Sequence, residues 1–269
     1  MTERQDLRPL VDQALSGSRE ALVALVEAVQ DDVYNLALRM LGDPSEAEDA
    51  VQEILIKVVT KLDSFRAESS VRTWVYQVAA NHLLNARASP RRRELSFDEV
   101  AANLEEARRA GASLEPVEEV ALVDEVKLHC THGMLLCLDR DQRLAFILGD
   151  ILDLPGEQAA AILEVTPAAY RQRLSRARAA MTGFLQSQCG LANPAAPCRC
   201  RRIAPAAVAS GQIGPGKLRF ATHAARRAHS LRDEVDELID AVELYRRHPD
   251  YAAPERLVKQ LRQDLGRAS

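Results

Sequence analysis

Leu22, Leu25, Val26, Val29, Val33, Leu36, Ala37 and Met40 recur at the α-helical period and form one long apolar stripe. A stripe of this kind has to be covered by other apolar helix faces. The next residues supply one. Gly42 ends the first helix, and Asp43-Pro44-Ser45-Glu46 reads as the start of another. Asp43 takes the N-cap, Pro44 the first helical position, and Glu46 the capping-box acid. Ala47, Ala50, Val51, Ile54, Leu55, Val58, Val59 and Leu62 then share one face. The opposite face carries Glu46, Glu48, Asp49, Gln52 and Glu53. A third helix is predicted from near Ser70 to about Ala88, with Val71, Trp74, Val75, Val78, Ala79 and Leu83 inward and Pro90 as its stop. No stretch here alternates as a strand does, so the predicted fold class is all-α.

The pattern then changes. Residues 93–122 are predicted to form a partly helical, mobile linker, punctuated by Gly111 and Pro116. A second helical unit is expected over 123–188. An extension over 189–269 opens on the loop-like CGLANPAAPCRC and IGPGK, and closes with helices over roughly His223–Arg247 and Pro254–Leu265. The net charge of -4 hides a segregation. Glu94 to Glu125 holds ten acidic residues and two basic ones, whereas Val165 to Arg232 holds twelve basic residues and no acidic one. The second stretch suits a polyanion partner, with a solvated basic surface as the plain alternative. No run of about 18 apolar residues occurs, and MTERQDLRPL lacks the apolar core of a signal peptide. A cytoplasmic protein with no membrane partner is therefore expected.

Leu154 to Met181, LPGEQAAAILEVTPAAYRQRLSRARAAM, has helix-turn-helix spacing. Pro155 opens a short helix, Glu164-Val165-Thr166 makes the connection, and Thr166 and Pro167 start the second helix. Tyr170, Leu174 and Ala177 share the buried face of that helix. Arg171, Gln172, Ser175, Arg176 and Arg178 lie on the others. Arg171 and Gln172 suit base edges, since arginine pairs with guanine and glutamine with adenine. Arg173, Arg176 and Arg178 suit phosphates.

Two motif sets resemble one family. Asp49-Ala50-Val51-Gln52-Glu53, the stretch Leu62 to Ser70, and Thr73-Trp74-Val75-Tyr76-Gln77-Val78-Ala79-Ala80-Asn81 resemble region two of extracytoplasmic-function (ECF) sigma factors. The helix-turn-helix with Arg173 to Arg178 resembles their region four. The resemblance covers about residues 15 to 188. It implies a non-catalytic subunit that lends promoter selectivity to core RNA polymerase, through the beta-prime and beta subunits. Asp49, Gln52 and Glu53 would contact the beta-prime coiled coil. Asp63, Ser64, Phe65 and Arg66 would hold a flipped minus-ten base, joined on DNA by Asn81, Arg87 and Arg91. Phe65 has ordinary core as its alternative, and core is the preferred reading of Trp74. Arg171, Gln172, Ser175, Arg176 and Arg178 would meet the minus-thirty-five element.

The chain departs from the family at its cysteines and its tail. Cys130 and Cys137, with His129 and His132, open the region-four segment, and Cys189, Cys198 and Cys200 follow the recognition helix. A structural zinc site, a redox-sensitive thiol pair and simple buried thiols remain open readings. The loop bearing the last three is expected to fold back on the face shared by Cys130 and Cys137. Leu231, Val235, Leu238, Ile239, Val242 and Leu244, then Leu257, Val258 and Leu261, need an apolar partner. That partner is the chain's own sigma domains, polymerase, or a separate protein such as an anti-sigma factor. A stand-alone helix-turn-helix regulator with an effector-sensing tail is the alternative function. No glycine-rich phosphate loop, metallohydrolase spacing or triad points to an enzyme.

Overall fold

In a computed structural model, residues 6–85, 95–111, 120–214, 218–220, 241–246 and 248–267 are described. The expectations for Arg87, Arg91, Pro116, Leu231, Val235, Leu238 and Ile239 fall outside them. Twelve α-helices occur among the described residues: α1 Arg8–Leu15, α2 Arg19–Leu41, α3 Pro44–Thr60, α4 Val71–Asn85, α5 Phe97–Gly111, α6 Val120–Leu136, α7 Arg140–Phe146, α8 Gly156–Ile162, α9 Pro167–Gln188, α10 Cys200–Ala209, α11 Ala241–Arg246 and α12 Glu255–Arg267. No named strand occurs among them. The chain divides into two compact units.

The first unit comprises Met1–Arg87, Pro155–Tyr170 and Tyr251–Ser269. Its core is the predicted stripe. Val29, Val33, Leu36 and Ala37 of α2 are completely buried, as are Val51, Ile54 and Val58 of α3 and Ala79 of α4. Each buried valine, leucine or isoleucine among these contributes about 1.5–3 kcal/mol. The punctuation is as the sequence implies. Asp43 Oδ1 accepts from the amides of Ser45 (2.9 Å) and Glu46 (3.1 Å), and Gly42 closes α2 at φ 70°, where a side chain would be strained. Arg72 of α4 pairs with Asp32 of α2 and donates to the Ala28 carbonyl (3.1 Å).

Two chain segments remote in sequence join this three-helix core. Helix α8 packs on α4, where Gln158 Nε2 donates to Thr73 Oγ1 (2.7 Å). The C-terminal segment packs on α2 and α3. Asn35 and Tyr251 exchange two buried hydrogen bonds: Asn35 Nδ2 donates to the Tyr251 carbonyl (2.6 Å), and the Tyr251 amide donates to Asn35 Oδ1 (2.9 Å). Arg256 forks onto both oxygens of Glu48 (2.7 and 2.6 Å), and Arg262 reaches Glu27 (2.7 Å). The tail's apolar face therefore has a partner in part: Leu257 is buried on this core.

The second unit comprises Ala88–Leu154 and Arg171–Asp250. The 93–122 segment carries a full helix, α5, which packs on α6 and α10. Gly111 ends it where a Cβ would stand 2.5 Å from the Arg202 carbonyl, so only glycine permits this approach. The CGLANPAAPCRC stretch is non-helical as far as Arg199, and a helix that the sequence reading did not assign follows it. Cys200–Ala209 is helical despite Pro205. Ile203 and Ala204 gain their burial against Leu122, Val126 and Ile213, and this packing offsets the cost of the interior proline. At the α6–α10 end, the completely buried Glu125 accepts from the amides of Arg219 (2.8 Å) and Phe220 (3.0 Å).

Candidate polymerase and nucleic-acid interfaces

Helix α3 presents two different faces. Its apolar residues point into the core, while Asp49, Glu53 and Ile56 are exposed and Gln52 is half-buried. These residues stand three, four and seven positions after Asp49 and so form one outward row. It is an acidic row with an apolar end, the Ile56 side chain being an exposed large hydrophobe.

Beside it lies a cleft of about 550 Å³, walled by α3, the following turn and α4. Glu53, Lys57, Lys61 and Ser64 line one side; Trp74, Gln77, Asn81, His82 and Asn85 line the other. Its size falls within the range of pockets that enclose small organic ligands, ample for one nucleobase. Phe65 stands at the rim, its ring centroid 5.7 Å from that of Trp74 in a tilted pair. Burial and the nearby Lys57 hold the His82 pKa below its usual value. The neutral ring thus offers an acceptor, and Lys57 Nζ lies 2.6 Å from His82 Nδ1. Two lysines, two aromatic rings and several amides make a cleft suited to a base and its phosphate.

The structure brings Ser64 and Asn81 into this cleft together. Asp63 and Arg66 are exposed on the preceding loop, where Arg66 donates to the Asp63 carbonyl (3.3 Å). Trp74, preferred above as core, is only half-buried and forms part of the wall. Its neighbours Val75 and Tyr76 take the core positions instead. Sequence reasoning did not assign Lys57, Lys61, Gln77 or His82. A signal existed: Glu53-Lys57-Lys61 and Gln77-Asn81-Asn85 are polar rows at a spacing of four, which places each row on one helix face.

On α9, Tyr170, Leu174 and Ala177 are buried as predicted, while Arg171, Gln172, Ser175 and Arg176 are exposed. The Thr166 hydroxyl caps the helix by accepting from the Ala169 amide (3.2 Å). Arg178 departs from expectation. Its guanidinium forks onto the buried carboxylate of Asp150 (2.6 and 2.8 Å), so the fold itself uses the charge assigned above to phosphate. Arg173 similarly pairs with Asp141 (3.0 Å).

The thiols gather in the second unit. Cys130, Cys198 and Cys200 line one cavity of about 520 Å³, and Cys189 bridges Cys198 through the backbone. Cys137 lies apart and donates to the Gly133 carbonyl (3.5 Å). The loop thus folds back onto Cys130. Among the described residues, however, no group of three or more His, Cys, Asp and Glu side chains is arranged to hold a metal ion. Burial pushes the Cys198 thiol up to about 11 and the Cys200 thiol up to about 12, and raises Cys130 well above its usual value. These thiols are protonated at neutral pH. Alkylation of Cys198 and Cys200 by iodoacetamide at neutral pH is expected to run about 100-fold slower in the native protein than in urea. Equal rates, read by mass spectrometry of the labelled peptides, would refute this burial.

Residues 25–93 match the Sigma-70 region 2 family and residues 128–181 the Sigma-70, region 4 family. The RNA polymerase sigma-H factor of Pseudomonas aeruginosa is 31% identical over 188 residues, 69% of this chain and 96% of that protein. The chain belongs to the ECF sigma factors of the sigma-70 family. The ECF RNA polymerase sigma-E factor of Escherichia coli K12 is likewise similar, at 32% identity over 69% of this chain and 97% of its own length. A solved structure of CnrH in complex with the cytosolic domain of CnrY has a TM-score of 0.47 at 27% identity, covering 68% of this chain and 98% of that one. In this sigma factor the cleft, Phe65 and the acidic row fall within the region-two match, and the exposed face of α9 falls within region four.

Proposed function

We propose that this sigma factor docks on core RNA polymerase through Asp49, Gln52 and Glu53, and holds one unstacked minus-ten base in the α3–α4 cleft. Arg171, Gln172, Ser175 and Arg176 meet the minus-thirty-five element. The observation that carries the reading is the cleft itself, in which Lys57 and Lys61 flank the Trp74 ring and the amides of Gln77 and Asn81, with Phe65 tilted against Trp74. Lysine favours a phosphate, the rings favour a base face, and the amides favour a base edge. Arg87 and Arg91, which follow α4 in the sequence, meet backbone phosphates in this reading. The factor works in the cytoplasm, and polymerase performs the chemistry. The C-terminal helix α12 is seated on α2 and α3, where its Arg256 holds Glu48, the residue beside Asp49.

The test is transcription by reconstituted holoenzyme from a library of genomic fragments, followed by footprinting of the promoters found. Replacing Phe65 and Asn81 together by alanine is expected to leave holoenzyme assembly intact and reduce open-complex formation at least about 10-fold, since stacking and a base-edge contact are each worth about 1–3 kcal/mol. Normal open complexes from that variant would remove both residues from the site.

A further inference from the structure

The turn of the helix-turn-helix contains Glu164 at φ 54°, in the left-handed region. The amide of Val165 donates to the Ala160 carbonyl (3.1 Å) and that of Glu164 to the Ala161 carbonyl (3.1 Å). This is the Schellman pattern, whose left-handed position is usually glycine. A glutamate there is strained, so something else must hold it. Its side chain supplies the answer. Glu164 Oε1 accepts from both Gln77 Nε2 (2.9 Å) and Asn81 Nδ2 (3.0 Å). These are two of the three side-chain amides of the proposed minus-ten cleft, and Glu164, Gln77 and Asn81 all belong to the first unit. The neighbouring Gln158–Thr73 bond fixes the same segment on α4.

We propose that Glu164 is an internal competitor for the minus-ten strand: its carboxylate occupies the amide donors that a base edge or phosphate of the DNA would take. The proposal rests on the reading of the cleft given above. A carboxylate oxygen receiving two amide N–H groups has the same chemistry as the carbonyl and phosphate oxygens of DNA. In the free chain the amides are therefore satisfied, and DNA has to displace Glu164 before they can read it. Its affinity is then reduced by the fraction of chains already closed.

Fluorescence anisotropy of the full chain with a short fluorescein-labelled, single-stranded oligodeoxynucleotide of mixed sequence tests this. Glu164→Gly removes the carboxylate and suits the backbone. It is expected to bind about five-fold tighter than the wild type. Glu157→Ala removes an exposed carboxylate from the same segment without touching the amides, and should change binding little. Replacing Gln77 and Asn81 together by alanine should weaken binding whichever residue stands at 164. If Glu164→Gly binds as the wild type while the amide variant binds weakly, the cleft reading survives and the competitor is refuted. An equal gain in Glu164→Gly and Glu157→Ala would reduce the effect to general charge and also refute it. If the amide variant binds normally, the cleft reading fails and the proposal falls with it. A DNA-free measurement stands beside these. The hydrogen bonds from Asn81 and Gln77 hold Glu164 below the usual glutamate range. The side-chain amide resonances of both residues should therefore follow a titration in that range, and lose it in Glu164→Gly. Amide resonances indifferent to Glu164 would overturn the latch directly.

Discussion

Replacing Asp49 and Glu53 by lysine is expected to abolish co-elution of the sigma factor with core RNA polymerase while leaving its far-ultraviolet circular dichroism unchanged. Both residues are exposed on α3, and the nearest partner of Glu53 is His82 at 3.8 Å, a ring held neutral by burial and by Lys57. Surface changes of this kind alter folding by about 0.5 kcal/mol at most. At an interface the consequence is larger. Each carboxylate exchanged for an ammonium shifts the face by two charges, and like charges brought together cost several kcal/mol. The adjoining Glu48 keeps its two hydrogen bonds to Arg256, while Asp49 adds a weaker electrostatic attraction to the same guanidinium, so the tail contact is loosened but held. Co-elution equal to the wild type would remove this row from the docking surface.

The three-helix core was legible because its signals are local. The apolar period of α2 and the Gly42–Asp43–Pro44 punctuation depend on residues adjacent in the chain, and both operate as read. Helix α10 was hidden because its stability is not local. Pro205 in its interior argues against a helix although the alanines around it favour one, and the packing of Ile203 against Leu122 and Val126 decides the matter. The same division holds at the site. The acidic row and Asn81 follow from helical spacing. The engagement of Asn81 and Gln77 by Glu164 joins residues more than eighty positions apart, and no periodicity reports such a contact. Arg178 shows another contact that the period does not report. A basic helix face reads as a phosphate face, but its partner Asp150 lies 28 positions away and is almost completely buried. A buried carboxylate needs a cation, and Arg178 supplies it while its own side chain stays half exposed.

Arg143 is a second arginine held by the fold, and its loss has the largest expected effect on stability. Helix α6 ends at Leu136, where the last carbonyls of any helix lack intrahelical partners. Arg143, on the next helix, turns back and satisfies them. Its Nε donates to the Leu135 carbonyl (2.8 Å), and its Nη2 to those of Leu136 (3.0 Å) and Leu138 (2.8 Å). The side chain is only 5% exposed, and its positive charge sits at the negative end of the α6 dipole. Arg143→Ala breaks three hydrogen bonds from a charged donor, leaving the Leu135 carbonyl with the Leu138 amide alone and taking the guanidinium from those of Leu136 and Leu138, at about 1 kcal/mol for each bond lost. A loss of about 3 kcal/mol should lower the melting temperature by about 6–12 °C, measured by circular dichroism at 222 nm, a wavelength that reports helix. Arg143→Lys keeps the charge but not the planar fork, and should fall between the two. Because α6 and α7 lead into the helix-turn-helix, binding to minus-thirty-five duplex should fall as the variant is warmed and recover on cooling, whereas Arg171→Ala should bind weakly at every temperature. An Arg143→Ala protein that melts with the wild type would show that water replaces the guanidinium at no cost, and that the end of α6 is held by its packing alone.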